Sequence, residues 1–76
     1  METTKLMAEI MMLSKGIKGN YDVMTTYFSK YDNIAVDVFE KGGIFKHFEF
    51  DNRMTDDEIF TEKNNLIKTL NFIRDE

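Results

Sequence analysis

The chain contains no cysteine, no proline and no tryptophan. Without thiols it can form neither a disulfide framework nor a thiolate zinc site, so packing must stabilise it alone. That suits a reducing compartment and points to the cytoplasm. Without proline, low-complexity tracts or internal repeats, nothing marks a boundary, and residues 1–76 read as one domain. Long apolar runs are also missing. The longest, Ile10 to Leu13, falls far short of the roughly 20 residues that a membrane span needs. No basic segment followed by an apolar stretch marks a secretory signal.

A cationic excess is absent too. Ten Lys and Arg stand against fourteen Asp and Glu, a net charge of -4. General phosphate-backbone binders usually carry a basic face, so direct nucleic-acid binding is not expected, and a protein partner that is itself basic is easier to accommodate. Groups that carry chemistry are equally scarce. His47 is the only histidine, and neither Ser14 nor Ser29 sits in a recognisable nucleophile setting. One imidazole with scattered carboxylates gives no zinc spacing or calcium-hand loop. The expectation is a non-enzymatic protein without a metal or cofactor.

Apolar residues make up 42% of the chain and include seven Phe and three Tyr. A chain of this size buries only about 60% of its unfolded surface, which leaves room for a single core. Leu6, Ile10, Leu13 and Ile17 recur at steps of four, three and four, which stacks them on one side of an amphipathic helix. Thr3 or Thr4 is placed to cap its start. The pair Gly16 and Gly19 has the bare spacing of a phosphate-clamping loop but follows a helix and precedes a strand, so it reads as a helix cap.

From Tyr21 to Asp51 the pattern turns to period two, broken at Tyr31-Asp32-Asn33 and at Lys41-Gly42-Gly43. Three antiparallel strands follow. If residues 41–43 form a three-residue loop, Val38 faces Lys46, Val36 faces Phe48, Ile34 faces Phe50 and Glu40 faces Ile44. The last segment opens with a capping box, Thr55 with Glu58, and a hydrophobic staple, Met54 with Ile59. Ile59, Phe60, Leu66, Ile67, Leu70 and Ile73 then form the apolar arc of a helix from Asp56 to about Arg74. The expected fold is a two-layer α+β domain of order α-β-β-β-α, a three-stranded antiparallel sheet with both helices on one face.

Two helices on one side leave the other side of the sheet bare. The same register aligns Phe39 with Phe45, Asp37 with His47 and Ala35 with Glu49 on that outer face. Depending on the length of the first turn, either Tyr27 or Phe28 joins them. An exposed aromatic cluster rimmed by polar groups marks an interaction surface for a protein partner or a second copy, a homodimer. The expected partner-binding residues are therefore Phe39, Phe45, Tyr27, Asp37 and His47. Aromatic cross-strand pairs also stabilise sheets unaided, and a surface ion pair is the ordinary reading of Asp37 with His47. Met12 and Phe72, lying off their apolar stripes, are further contact candidates.

Charge is spread unevenly. Glu49, Asp51, Asp56, Asp57, Glu58 and Glu62 form an acidic patch relieved only by Arg53. Such a patch steers basic partners, or imitates nucleic-acid phosphates in a small inhibitor of a nuclease, as mobile genetic elements employ. Half of it is also the acidic first turn expected of any helix. The element order resembles that of double-stranded RNA-binding domains, which place basic residues at the start of the last helix. Here Asp56-Asp57-Glu58 stand there, which lowers the expectation of RNA binding.

Overall fold

The computed structural model describes residues 1–75 and contains α1 (Thr3–Ser14), β1 (Tyr21–Phe28), β2 (Asn33–Glu40), β3 (Gly43–Phe50) and α2 (Asp56–Arg74). The strands form one antiparallel sheet in the order β1-β2-β3. Leu6 and Ile10 of α1 and Leu66, Leu70 and Ile73 of α2 share a core with Ile34, Val36, Val38, Phe48 and Phe50. Both helices thus cover the same sheet face, α1 over β1 and β2, α2 over β3. This is the expected α+β fold. Burial of each such side chain contributes about 1.5–3 kcal/mol, so these ten positions carry most of the stability. Among the described residues no helix is long and apolar enough to cross a membrane.

The helix ends differ in how they are finished. Thr3 does not cap α1: Glu2 holds the N-cap position without a side-chain bond, and the buried Thr3 hydroxyl has no partner among the described residues. At the other end α1 stops at Ser14 and Gly16 takes a φ of +85°. Ile17 therefore lies beyond the helix, yet it still packs against the core. The orphan carbonyls there are met from α2, where the Arg74 guanidinium donates to the carbonyls of Leu13 and, at 3.4 Å, Lys15. Lys63 and Glu9, 2.5 Å apart, form a second tie between the helices.

The start of α2 is the capping box read from its sequence. The Glu58 amide donates to Thr55 Oγ1 at 3.2 Å, and the Thr55 amide donates to Glu58 Oε1 at 2.8 Å. Of the expected apolar arc, Phe60 is instead 66% exposed. It stands at the rim of the arc, and the helix seats its Leu66, Leu70 and Ile73 stripe on the sheet.

Both turns depart from the simplest sequence reading. Phe28 pairs with Asn33, so the first turn has four residues, with Asp32 at a φ of +50°. This turns Val23, Thr25 and Tyr27 toward the helices and Met24, Thr26 and Phe28 away from them. The second turn has two residues, Lys41 and Gly42, at φ of +52° and +86°. Positive φ at both central positions is the signature of a type I′ turn, whose twist matches that of the strands it joins. Left uncorrected, that turn would mix the two faces of β3. A bulge between Val38 and Phe39 on the ladder corrects it, leaving Phe45 as the extra residue and restoring Val38 opposite Lys46, Val36 opposite Phe48 and Ile34 opposite Phe50.

Candidate functional site

Among the described residues, both helices pack on one face of the sheet and no helix covers the other, outer face. Alternation along each strand assigns to it Asp22, Met24, Thr26 and Phe28 of β1, Ala35, Asp37 and Phe39 of β2, and Ile44, His47 and Glu49 of β3. Ala35 forms its floor. It is buried but stands apart from the core cluster, because Thr26 and Glu49 flank it in the neighbouring strands.

The bulge exchanges two residues on this face. Ile44, expected inward opposite Glu40, pairs with Phe39 on the outer face and is 68% exposed. Phe45, expected outward opposite Phe39, turns to the helix side, where it packs against the core and meets the Tyr21 ring edge-on at 5.8 Å. The Phe39 and Phe45 pair therefore does not form. Tyr27 also leaves the expected set: it belongs to the helix side, and its hydroxyl donates to Asp32 Oδ1 at 2.9 Å, which raises the Tyr27 pKa. The apolar part of the surface consists instead of half-buried Phe39 with Met24, Phe28 and Ile44, of which Met24 is 50% and Phe28 46% exposed. Phe28 was accessible to sequence reasoning through a four-residue first turn. Ile44 was not, because its side depends on a bulge that no residue pattern announces.

Beside these residues Asp37, His47 and Glu49 form a polar clamp. His47 Nδ1 lies within hydrogen-bond distance of Asp37 Oδ1 at 2.5 Å, and Nε2 of Glu49 Oε1 at 2.9 Å. A ring that carries both protons can donate to both oxygens at once, so this placement favours the charged form of the ring over the neutral one. The bond to Asp37, then that to Glu49, raises the His47 pKa above its ordinary value. Each carboxylate is committed to one ring nitrogen, and no group of His, Asp or Glu among the described residues is arranged to hold a metal ion. The arrangement holds charge in place on a sheet surface, with a local excess of negative charge from Asp22, Asp37 and Glu49 over His47.

Comparison with protein-family models, with curated proteins and with solved structures finds no match for this chain.

The acidic patch is largely engaged within the molecule. Glu49 binds His47; Asp51 accepts from the Arg53 side chain at 3.1 and 2.9 Å, which lowers its pKa and raises that of Arg53. Glu58 belongs to the capping box, and Glu62 accepts the backbone N–H of Glu49 at 3.1 Å. Asp56 and Asp57 remain, exposed in the first turn of α2 where the helix dipole favours them. Met12 and Phe72 are exposed on the helices, far from this face in the layer order.

Proposed function

We propose that the chain is a non-enzymatic protein-interaction module that docks a basic protein segment on its outer sheet face. The observation that carries this reading is the apolar content of the outer sheet face, half-buried Phe39 beside exposed Ile44 and Met24 toward one end and exposed Phe28 at the other. Apolar burial supplies affinity at such a patch, and the surrounding charge selects what approaches it. Here Asp22, Asp37 and Glu49 outweigh His47, so a Lys- or Arg-bearing segment is favoured. Packing two copies of this face together would set like charges against each other, which disfavours face-to-face self-association. A phosphate-mimicking inhibitor draws less support, because Glu49, Asp51, Glu58 and Glu62 already serve partners inside the chain.

The test is selection from a displayed random-peptide library on the purified protein. Selected peptides should be rich in Lys and Arg with apolar anchors, and should lose about tenfold or more in affinity against Phe39→Asp or Ile44→Asp proteins that retain native circular dichroism. Acidic or neutral peptides, or binding that survives both substitutions, would overturn the reading.

A further inference from the structure

The two edges of the sheet are finished differently. On β3, Phe45 interrupts the ladder with a bulge, and the outward N–H of Glu49 is taken by Glu62 of α2. Both are ways in which proteins close an edge to further pairing. On β1 the pairing is regular from Tyr21 to Phe28 with no bulge. The Lys41 amide donates to the Asn20 carbonyl, and Asn20 falls opposite Lys41 in the same register. Bonded pairs alternate, so the even residues of β1 bond to β2 and the odd ones face the open edge. Val23 agrees: its N–H is taken by the carboxylate of the adjacent Asp22 at 2.9 Å. Beyond it, the backbone N–H and C=O groups of Thr25 and Tyr27 point outward with no partner among the described residues.

We propose that a second copy of this chain pairs with the open edge of β1, antiparallel and about a twofold axis, in the register that sets Thr25 opposite Tyr27 of the copy. The two symmetry-related pairs then exchange all of these backbone groups. Side chains select this register over its neighbours. It sets Met24 opposite Phe28 of the second copy, both half exposed in the single chain, and Thr26 opposite Thr26 on the axis. It also brings Asp22, the only charged residue of β1, toward Lys30 of the copy, which stands in the turn two residues past the end of β1, once on each side of the axis. Asp22 Oδ1 already holds the Val23 amide at the edge, which leaves Oδ2 free for a cation there. Lys30 has no carboxylate partner among the described residues, and its Nζ lies 5.4 Å from the Tyr31 ring centroid. Shifting the pairing by two residues either way loses both matches: Asp22 then meets Phe28 or Asp32. The dimer joins two sheets into one of six strands, with both outer faces continuous.

Sedimentation equilibrium of the purified chain up to about 500 μM should show a reversible dimer, since an edge of one strand gives an interface at the small end of the specific range. Asp22→Lys and Lys30→Asp should each weaken it by about tenfold or more, because each brings like charges together twice. An equimolar mixture of the two variants should form a heterodimer of wild-type affinity, every charged pair then being complementary. Thr25→Pro removes an outward N–H that β2 does not use, and should leave a folded monomer. A wild-type chain that stays monomeric overturns the proposal, as does a dimer that ignores the charge variants and their mixing. Phe39→Asp and Ile44→Asp lie away from this edge and should leave the dimer intact. Loss of peptide docking and loss of dimerisation are therefore separately visible.

Discussion

The ring of Phe45 on β3 meets the ring of Tyr21 on β1 edge-on, with 5.8 Å between centroids, although β2 lies between their strands. Two side chains separated by a whole strand can touch only if both lie over the same face. Tyr21 lies on the helix side with Val23, so the contact places Phe45 there as well. The bulge thereby gives the rim of the core an aromatic lid and gives Ile44 to the opposite face.

Phe45 and Phe39 should consequently respond in opposite ways to substitution. Phe45→Ala removes a half-buried ring and its edge-on partner, and should cost about 2–3 kcal/mol in urea unfolding while leaving docking of basic peptides near the wild-type level. Phe39→Ala should weaken peptide docking more than it lowers stability. Equal effects of both on docking would mean that the face extends around the rim.

Lys41 occupies a left-handed conformation at a φ of +52°, which costs a side chain with a Cβ about 1–2 kcal/mol, whereas Asn tolerates it through local hydrogen bonding. Lys41→Asn creates the Asn-Gly pair favoured in type I′ turns. The expected gain is about 0.5–1 kcal/mol, read as a higher urea midpoint with an unchanged slope. A loss of stability would show that the Lys41 side chain contributes more than its backbone strain costs.

His47 gives the molecule a pH dependence near neutrality. Its folded pKa is raised, by Asp37 first and Glu49 second, so the clamp stabilises the fold fully below the unfolded value of about 6.5 and the contribution disappears as pH rises through the raised value. Solvent screening keeps the effect small, since the side chain is 44% exposed. Loss of the proton also makes the outer face more negative. Stability should therefore fall slightly while basic-peptide affinity rises across the same pH window, and His47→Gln should flatten both curves.

What the sequence disclosed follows from how local each signal is. The capping box needs only Thr55 and Glu58, three residues apart, and the core face of β2 needs only the alternation of Ile34, Val36 and Val38; both were legible. The helix packing of Leu66, Leu70 and Ile73 was legible for the same reason. The outer face was legible as an uncovered surface with Asp37 opposite His47, but its apolar membership was not. That depended on two turn lengths and one bulge, and a one-residue difference in either turn sends every following side chain to the other face until a bulge compensates. Tyr27 and Phe45 were lost from the expected set, and Met24, Phe28 and Ile44 gained, through those backbone decisions alone.

The unequal finish of the two edges can be read directly by amide hydrogen exchange in dilute protein. Glu49 and the pair Thr25 and Tyr27 all point their N–H groups away from β2, yet only Glu49 has an acceptor, the Glu62 carboxylate at 3.1 Å. Its amide should exchange more slowly than those of Thr25 and Tyr27. Glu62→Ala removes that acceptor and should bring Glu49 to their rate, at a stability cost of about 0.5–1.5 kcal/mol. The variant should gain no new association through β3, because the bulge at Phe45 still interrupts that edge. Rapid exchange at Glu49 in the wild-type chain, or protection of Thr25 and Tyr27 in the monomer, would mean that the edges are closed in some other way.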